Sequence, residues 1–149
     1  MDGSAKWSGV MAAVCTLAAA AVALVLLAVL PPEPTGSSHL MYGPQAVVAG
    51  GVLGGAFWWA LVERPGRPTT GRAILAGFLV GLLAHPLMWA WYFVVGPLYL
   101  PVERMGPAVA AGTALKVSVA SVLFFGWLTV PVAVVCGWVV VRFRRRALE

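Results

Sequence analysis

The chain has 149 residues, 61% of them apolar and only 10% charged, with a net charge of +5 and a mean hydropathy of +0.92. Water-soluble domains carry about 25% charged residues, and a chain this short has too little interior to hide such an apolar excess, which excludes an ordinary soluble fold. The acidic residues Asp2, Glu33, Glu63, Glu103 and Glu149 all lie outside the long apolar runs, so the positive balance belongs to flanks and loops, where it sets membrane topology rather than nucleic-acid binding.

A helix crosses a hydrocarbon core of about 30 Å with about 20 apolar residues, and four windows meet or approach that length. The first, residues 10–30, stops at Pro31-Pro32, which cannot continue a helix. It is longer than the apolar region of a signal peptide and no small-x-small cleavage site precedes the prolines, so it reads as a retained span. Cys15 in this window and Cys136 in the fourth show neither CxxC nor Cys/His spacing. They read as small buried side chains, with no support for zinc or redox chemistry. The segment PPEPTGSSHLMYGP that follows is a polar, proline-rich outer loop.

The second window, residues 45–62, is closed by Glu63, Arg64 and Pro65. Within it AGGVLGGAFWW sets Gly50 against Gly54 and Gly51 against Gly55, two small-xxx-small pairs of the kind that let helix backbones approach in lipid. A short loop then leads to the third window, residues 73–95, which ends at Gly96-Pro97. Here Ala73, Gly77, Gly81, His85 and Trp89 recur every fourth residue and share one helix face. The loop is short enough to make the two helices antiparallel neighbours. Gly51 and Gly55 on one, and Gly77 and Gly81 on the other, fall at similar depths, so the expectation is a hairpin packed glycine on glycine. The competing expectation leaves one glycine face for homo-oligomerisation.

Pro86 removes a backbone donor and crowds the carbonyl of Leu82, which predicts a bend in the middle of the third helix. His85, beside it, is a candidate donor to that carbonyl, and as an intramembrane ionisable residue it is the candidate ligand or solute contact. The segment 96–116 has two readings: an apolar loop lying on the outer leaflet, or a helix opened by Pro107 that runs through Lys116 into the fourth window, residues 117–141. That window carries Pro131, a second bend, and Ser118, Ser121 and Thr129, which read as interhelical hydrogen bonders. Arg142, Arg144, Arg145 and Arg146 close it, anchoring the helix and attracting anionic headgroups at about 1 kcal/mol per charge.

Lys6, Arg64, Arg67, Arg72 and the four tail arginines fall on one side of the four spans, Arg104 and Lys116 on the other. The positive-inside rule therefore puts both termini in the cytoplasm. Trp7, Trp58, Trp59 and Trp138 mark the cytoplasmic interface, and Trp89, Trp91, Tyr42, Tyr92 and Tyr99 the outer one.

The expected fold is an all-α integral membrane protein of the plasma membrane: one domain over residues 1–149, four spans in an up-down bundle, N-in and C-in, with bends near Pro86 and Pro131. No residue set supports catalysis, a cofactor or a metal. A proton relay lacks an intramembrane carboxylate, and a bis-histidine haem lacks a second histidine at depth, since His39 sits in the outer loop. The functional expectation is a non-catalytic subunit, scaffold or oligomerising element. It works in the bilayer as a homo-oligomer or within a larger membrane complex. The alternative is a small transporter or channel lined by His85 and the bent third and fourth helices.

Overall fold

The computed structural model describes residues 3–29, 38–66, 68–94 and 106–148, with no strand among them. Helix α1 spans Gly3–Val29, α2 Ser38–Trp58 with a π-helical turn over Trp59–Glu63, α3 Thr70–Val94 and α4 Pro107–Arg146. All four are long and apolar enough to cross a membrane. Leu30 and Val95, the expected ends of two spans, lie outside the described residues, as do Arg67, Arg104 and the loop segments 31–37 and 96–105. Of segment 96–116 the described part, from Pro107 on, is helical. Pro107 occupies the first turn of α4, where its missing N–H breaks no bond, and the helix continues through Lys116 for 40 residues in all, a length of about 60 Å. Neither Pro86 nor Pro131 ends its helix.

Each helix packs on the next in chain order, and α1 closes the ring on α4, while the backbones of the diagonal pairs stay apart among the described residues. The tightest pairs are α3 with α4 and α1 with α2. The glycines show why. A Cβ placed on Gly77 would strike the Ala133 carbonyl and come within 2.8 Å of Val134 Cα, and one on Gly81 would lie 2.6 Å from Val130 Cα. On the facing helix, a Cβ on Gly137 would strike the Ala73 carbonyl. On α2, Gly50 and Gly54 face Cys15 of α1, Gly51 faces Thr16 and Gly55 faces Ala12.

The expected glycine-on-glycine hairpin of α2 and α3 is therefore not what forms. Each glycine face is taken by a different helix: that of α2 by a stripe of small residues on α1, and that of α3 by Ala133 and Gly137 on α4. The physical reason is that a glycine groove needs only a partner with small side chains, and α1 and α4 both offer one.

The buried cluster of Met11, Cys15, Trp58, Val62, Ala73, Val80, Ala133, Val140 and Val141 sits toward the end of the bundle that carries both chain termini. Beyond Cys15, α1 contributes no buried residue, although Ala19 and Ala23 lie against Gly50 and Gly43 of α2. Outward-facing Leu17, Leu24, Leu123, Phe124 and Trp127 cover the bundle with large apolar side chains. Trp127 is 74% exposed, yet its indole N–H is not lost to an apolar surround, because it donates to the Phe124 carbonyl at 2.7 Å. Trp58, expected at the interface, is instead fully buried.

Candidate functional site

The register of the α3–α4 pair positions the site. Gly77 meets Ala133 and Gly81 meets Thr129 and Val130, so the next turn of α3 brings His85 level with Phe125, one turn from both Ser121 and Thr129. The imidazole uses both turns. Its Nδ1 lies 2.6 Å from Ser121 Oγ and its Nε2 lies 2.9 Å from Thr129 Oγ1, with only 7% of the residue exposed. Thr129 Oγ1 also lies 3.2 Å from the Phe125 carbonyl. With the Thr129 proton on that carbonyl, Nε2–H donates to Thr129 and Ser121 donates to Nδ1; in the other tautomer both directions reverse.

The glycine stripe thus correctly placed His85 on a packing face, and Ser121 and Thr129 bridge helices as their sequence suggested. Ser118 does not: it bonds the Ala114 carbonyl of its own helix at 2.6 Å. Nor is His85 the partner of the Leu82 carbonyl, since both ring nitrogens are engaged by α4.

This network makes a prediction. Thr129→Val leaves Nε2 facing a methyl group, and Ser121→Ala leaves Nδ1 without its hydroxyl partner. Each is expected to lower stability by about 1 kcal/mol, within the range of interhelical hydrogen bonds in membranes. Ser118→Ala, which removes only a bond within one turn, is expected to cost less than half as much in thermal unfolding. Equal losses at all three positions would contradict the network.

The Ser121–His85 pair has the reach of a nucleophile and its base, but Nε2 is oriented by a hydroxyl rather than a carboxylate. Glu63, the acidic residue among those described, is at the far end of the bundle. Among the described residues, no three His, Cys, Asp or Glu side chains converge in a way that could hold a metal ion.

His85, Ser121 and Thr129 form one polar patch in the wall of a cavity of about 330 Å³ reached by all four helices. The rest of the wall is apolar or small: Ala19, Val22 and Leu26 of α1, Ala46 of α2, Met88 of α3 and Phe125 of α4 among them. The cavity's size falls in the range of small-molecule sites, about 300–1,000 Å³.

A second polar cluster lies at the end of the bundle that carries the termini, and the sequence reading missed it. In the π-helical turn Arg64 N–H bonds the Trp59 carbonyl at 2.8 Å, a span of five residues, so residues five apart line up on one face. Trp58 and Glu63 are such a pair, and Trp58 Nε1 donates to Glu63 Oε1 at 3.1 Å. Arg144 of α4 completes the carboxylate's shell, with Nε at 3.2 Å from Oε1 and Nη2 at 3.4 Å from Oε2. The two side chains are 16% and 5% exposed for Arg144 and Glu63. The guanidinium also lies 5.7 Å from the centroid of the Trp7 ring on α1. Gly66, with φ +66, then reverses the chain in a left-handed conformation that side chains resist. A signal was present in the sequence: Glu63 is the one acid beside a span on the basic side.

The tail arginines accordingly divide. Arg144, read as a headgroup contact, is an internal ion-pair partner. Arg142 lies over the Trp138 ring at 5.5 Å, Arg145 Nε donates to the Pro68 carbonyl at 2.9 Å, and Arg146 is exposed.

No protein family, no curated protein and no solved structure matches the chain.

Proposed function

We propose that the protein is a non-catalytic integral membrane protein, a subunit or scaffold of four spans with both termini in the cytoplasm. Eight basic residues on the side of the termini against two on the other support that orientation, and the apolar outer surface supports burial in lipid. The single observation that carries the non-catalytic reading is how the interior polar groups are used. His85, Ser121 and Thr129 join α3 to α4, and Glu63, Trp58 and Arg144 join α2 to α4. These groups hold helices together, and none is left poised over a substrate by an acid–base partner.

Purification in a mild nonionic detergent, with mass determination and identification of co-purifying chains, tests this reading. A defined assembly, either of this chain alone or with other polypeptides, is the expected result. A lone monomer that turns over a substrate would overturn it.

The cavity favours a second reading, a carrier for small lipophilic solutes. Its wall offers one polar patch in apolar surroundings, which suits a lipophile bearing a hydrogen-bonding group and not an ion, whose hydration nothing along the wall would replace. In liposomes, uptake of such a solute should be slowed several-fold by Ala84→Phe, which fills the cavity beside His85. Unchanged uptake would remove the cavity from any pathway.

A further inference from the structure

Arg142, Arg145 and Arg146 recur at the three- and four-residue spacing that puts side chains on one face of a helix. With Trp138, Val141 and Thr70 they wall a recess of about 370 Å³ between the end of α4 and the start of α3. Arg144 is turned away from it, held by Glu63 on the other side of α4.

No carboxylate among the described residues faces this recess. Among the described residues, Arg144 and Glu63 form the only ion pair, so three guanidiniums line one hollow without a carboxylate. The Pro68 carbonyl that receives Arg145 Nε orients that side chain but is neutral. The Trp138 ring holds the Arg142 guanidinium by a cation–π contact. Gathering three like charges is unfavourable until an anion enters, and the planar guanidinium fork matches phosphate oxygens in pairs. Trp138 is half exposed and amphipathic, as at the headgroup level of a bilayer, and Val141 gives the recess an apolar floor.

We infer that this recess binds the phosphate of an anionic phospholipid on the cytoplasmic leaflet. The inference rests on the four-span reading and goes beyond it, since orientation alone would need only scattered basic residues.

The test uses the full chain in a nonionic detergent, titrated with phosphatidylglycerol or phosphatidylcholine, with bound lipid counted by native mass spectrometry. Phosphatidylglycerol is expected to be retained over phosphatidylcholine. Arg142→Gln with Arg146→Gln should weaken phosphatidylglycerol binding about tenfold or more. Lys6→Gln with Arg64→Gln removes as much charge from the same end and should weaken it less than about twofold, because neither residue faces the recess.

Arg142→Lys keeps the charge and the fold but loses the fork, and should weaken binding about threefold. Equal losses in the two double variants would show a response to net charge alone and overturn the site. Full binding by Arg142→Lys would overturn the guanidinium geometry. Inorganic phosphate is the competing source of the same chemistry: failure to displace the lipid supports a phospholipid site, and displacement at equal concentration overturns the lipid assignment. A chain that stays in solution without any detergent would instead overturn the spans, a result separable from loss of lipid selectivity.

Discussion

Gly77→Ala should lower stability by about 1–3 kcal/mol, the usual cost of overpacking, which corresponds to about 3–10 °C in the melting temperature in detergent. The magnitude follows from what the added methyl meets. It is the Ala133 carbonyl and the Val134 backbone, which cannot rotate aside as a side-chain end can, so α3 and α4 must separate. That separation stretches the His85 bonds two turns above, because the same register sets both. Gly137→Ala presses on the Ala73 carbonyl across the same crossing and should behave alike.

Gly112→Ala is the control. Nothing lies within 4 Å of a Cβ there, and alanine is the better helix former by about 1 kcal/mol, so stability should hold or rise. Gly55→Ala meets Ala12 Cβ at 3.3 Å, a contact that a shift of a few tenths of an ångström relieves, and should fall between. If Gly77→Ala and Gly112→Ala melt together, the close crossing of α3 and α4 is wrong.

The second large effect is expected at the carboxylate of Glu63. Glu63→Ala strands two donors at once, Trp58 Nε1 inside the bundle and the Arg144 guanidinium beside it. Losing one partner of a buried ion pair costs about 3–5 kcal/mol. Arg144 keeps some contact with solvent and the Trp7 ring, which brings the expected loss to about 2–3 kcal/mol.

Removing both partners should cost less than the sum of the single changes, since Arg144→Ala alone leaves the carboxylate unpaired. A double-mutant cycle with Glu63→Ala and Arg144→Ala reads this directly, and a coupling energy above about 1 kcal/mol is expected. Additive losses would mean that the pair is a surface contact with no part in closing the bundle. Because the clamp joins α1, the end of α2 and α4, its loss should also raise protease sensitivity near Arg64 and in the tail.

Some of this was legible in the residues alone and some was not, and the division has a physical basis. Helix number and the four-residue stripe carrying His85 are local properties. They follow from apolar run length and from the 3.6-residue period, each of which is written in consecutive residues. The location of Ser121 and Thr129 on the partner of His85 was half legible, since polar residues in apolar helices must find one another, but nothing local names the pair. The π-helical turn over Trp59–Glu63 was hidden, because no local propensity marks it and Arg144, which meets the Glu63 it presents, is distant in sequence.

By itself, then, the order of residues determined a set of four apolar helices, the unequal charge of their two ends and the face on which the histidine lies. Which glycine groove meets which helix, that Arg144 turns inward while three other arginines share one hollow, and that all four helices wall a cavity beside His85 were decided only by the packed bundle. The reason is that small-residue grooves and guanidinium groups each have several partners of similar worth, and the choice among them is made by what all four helices can satisfy together.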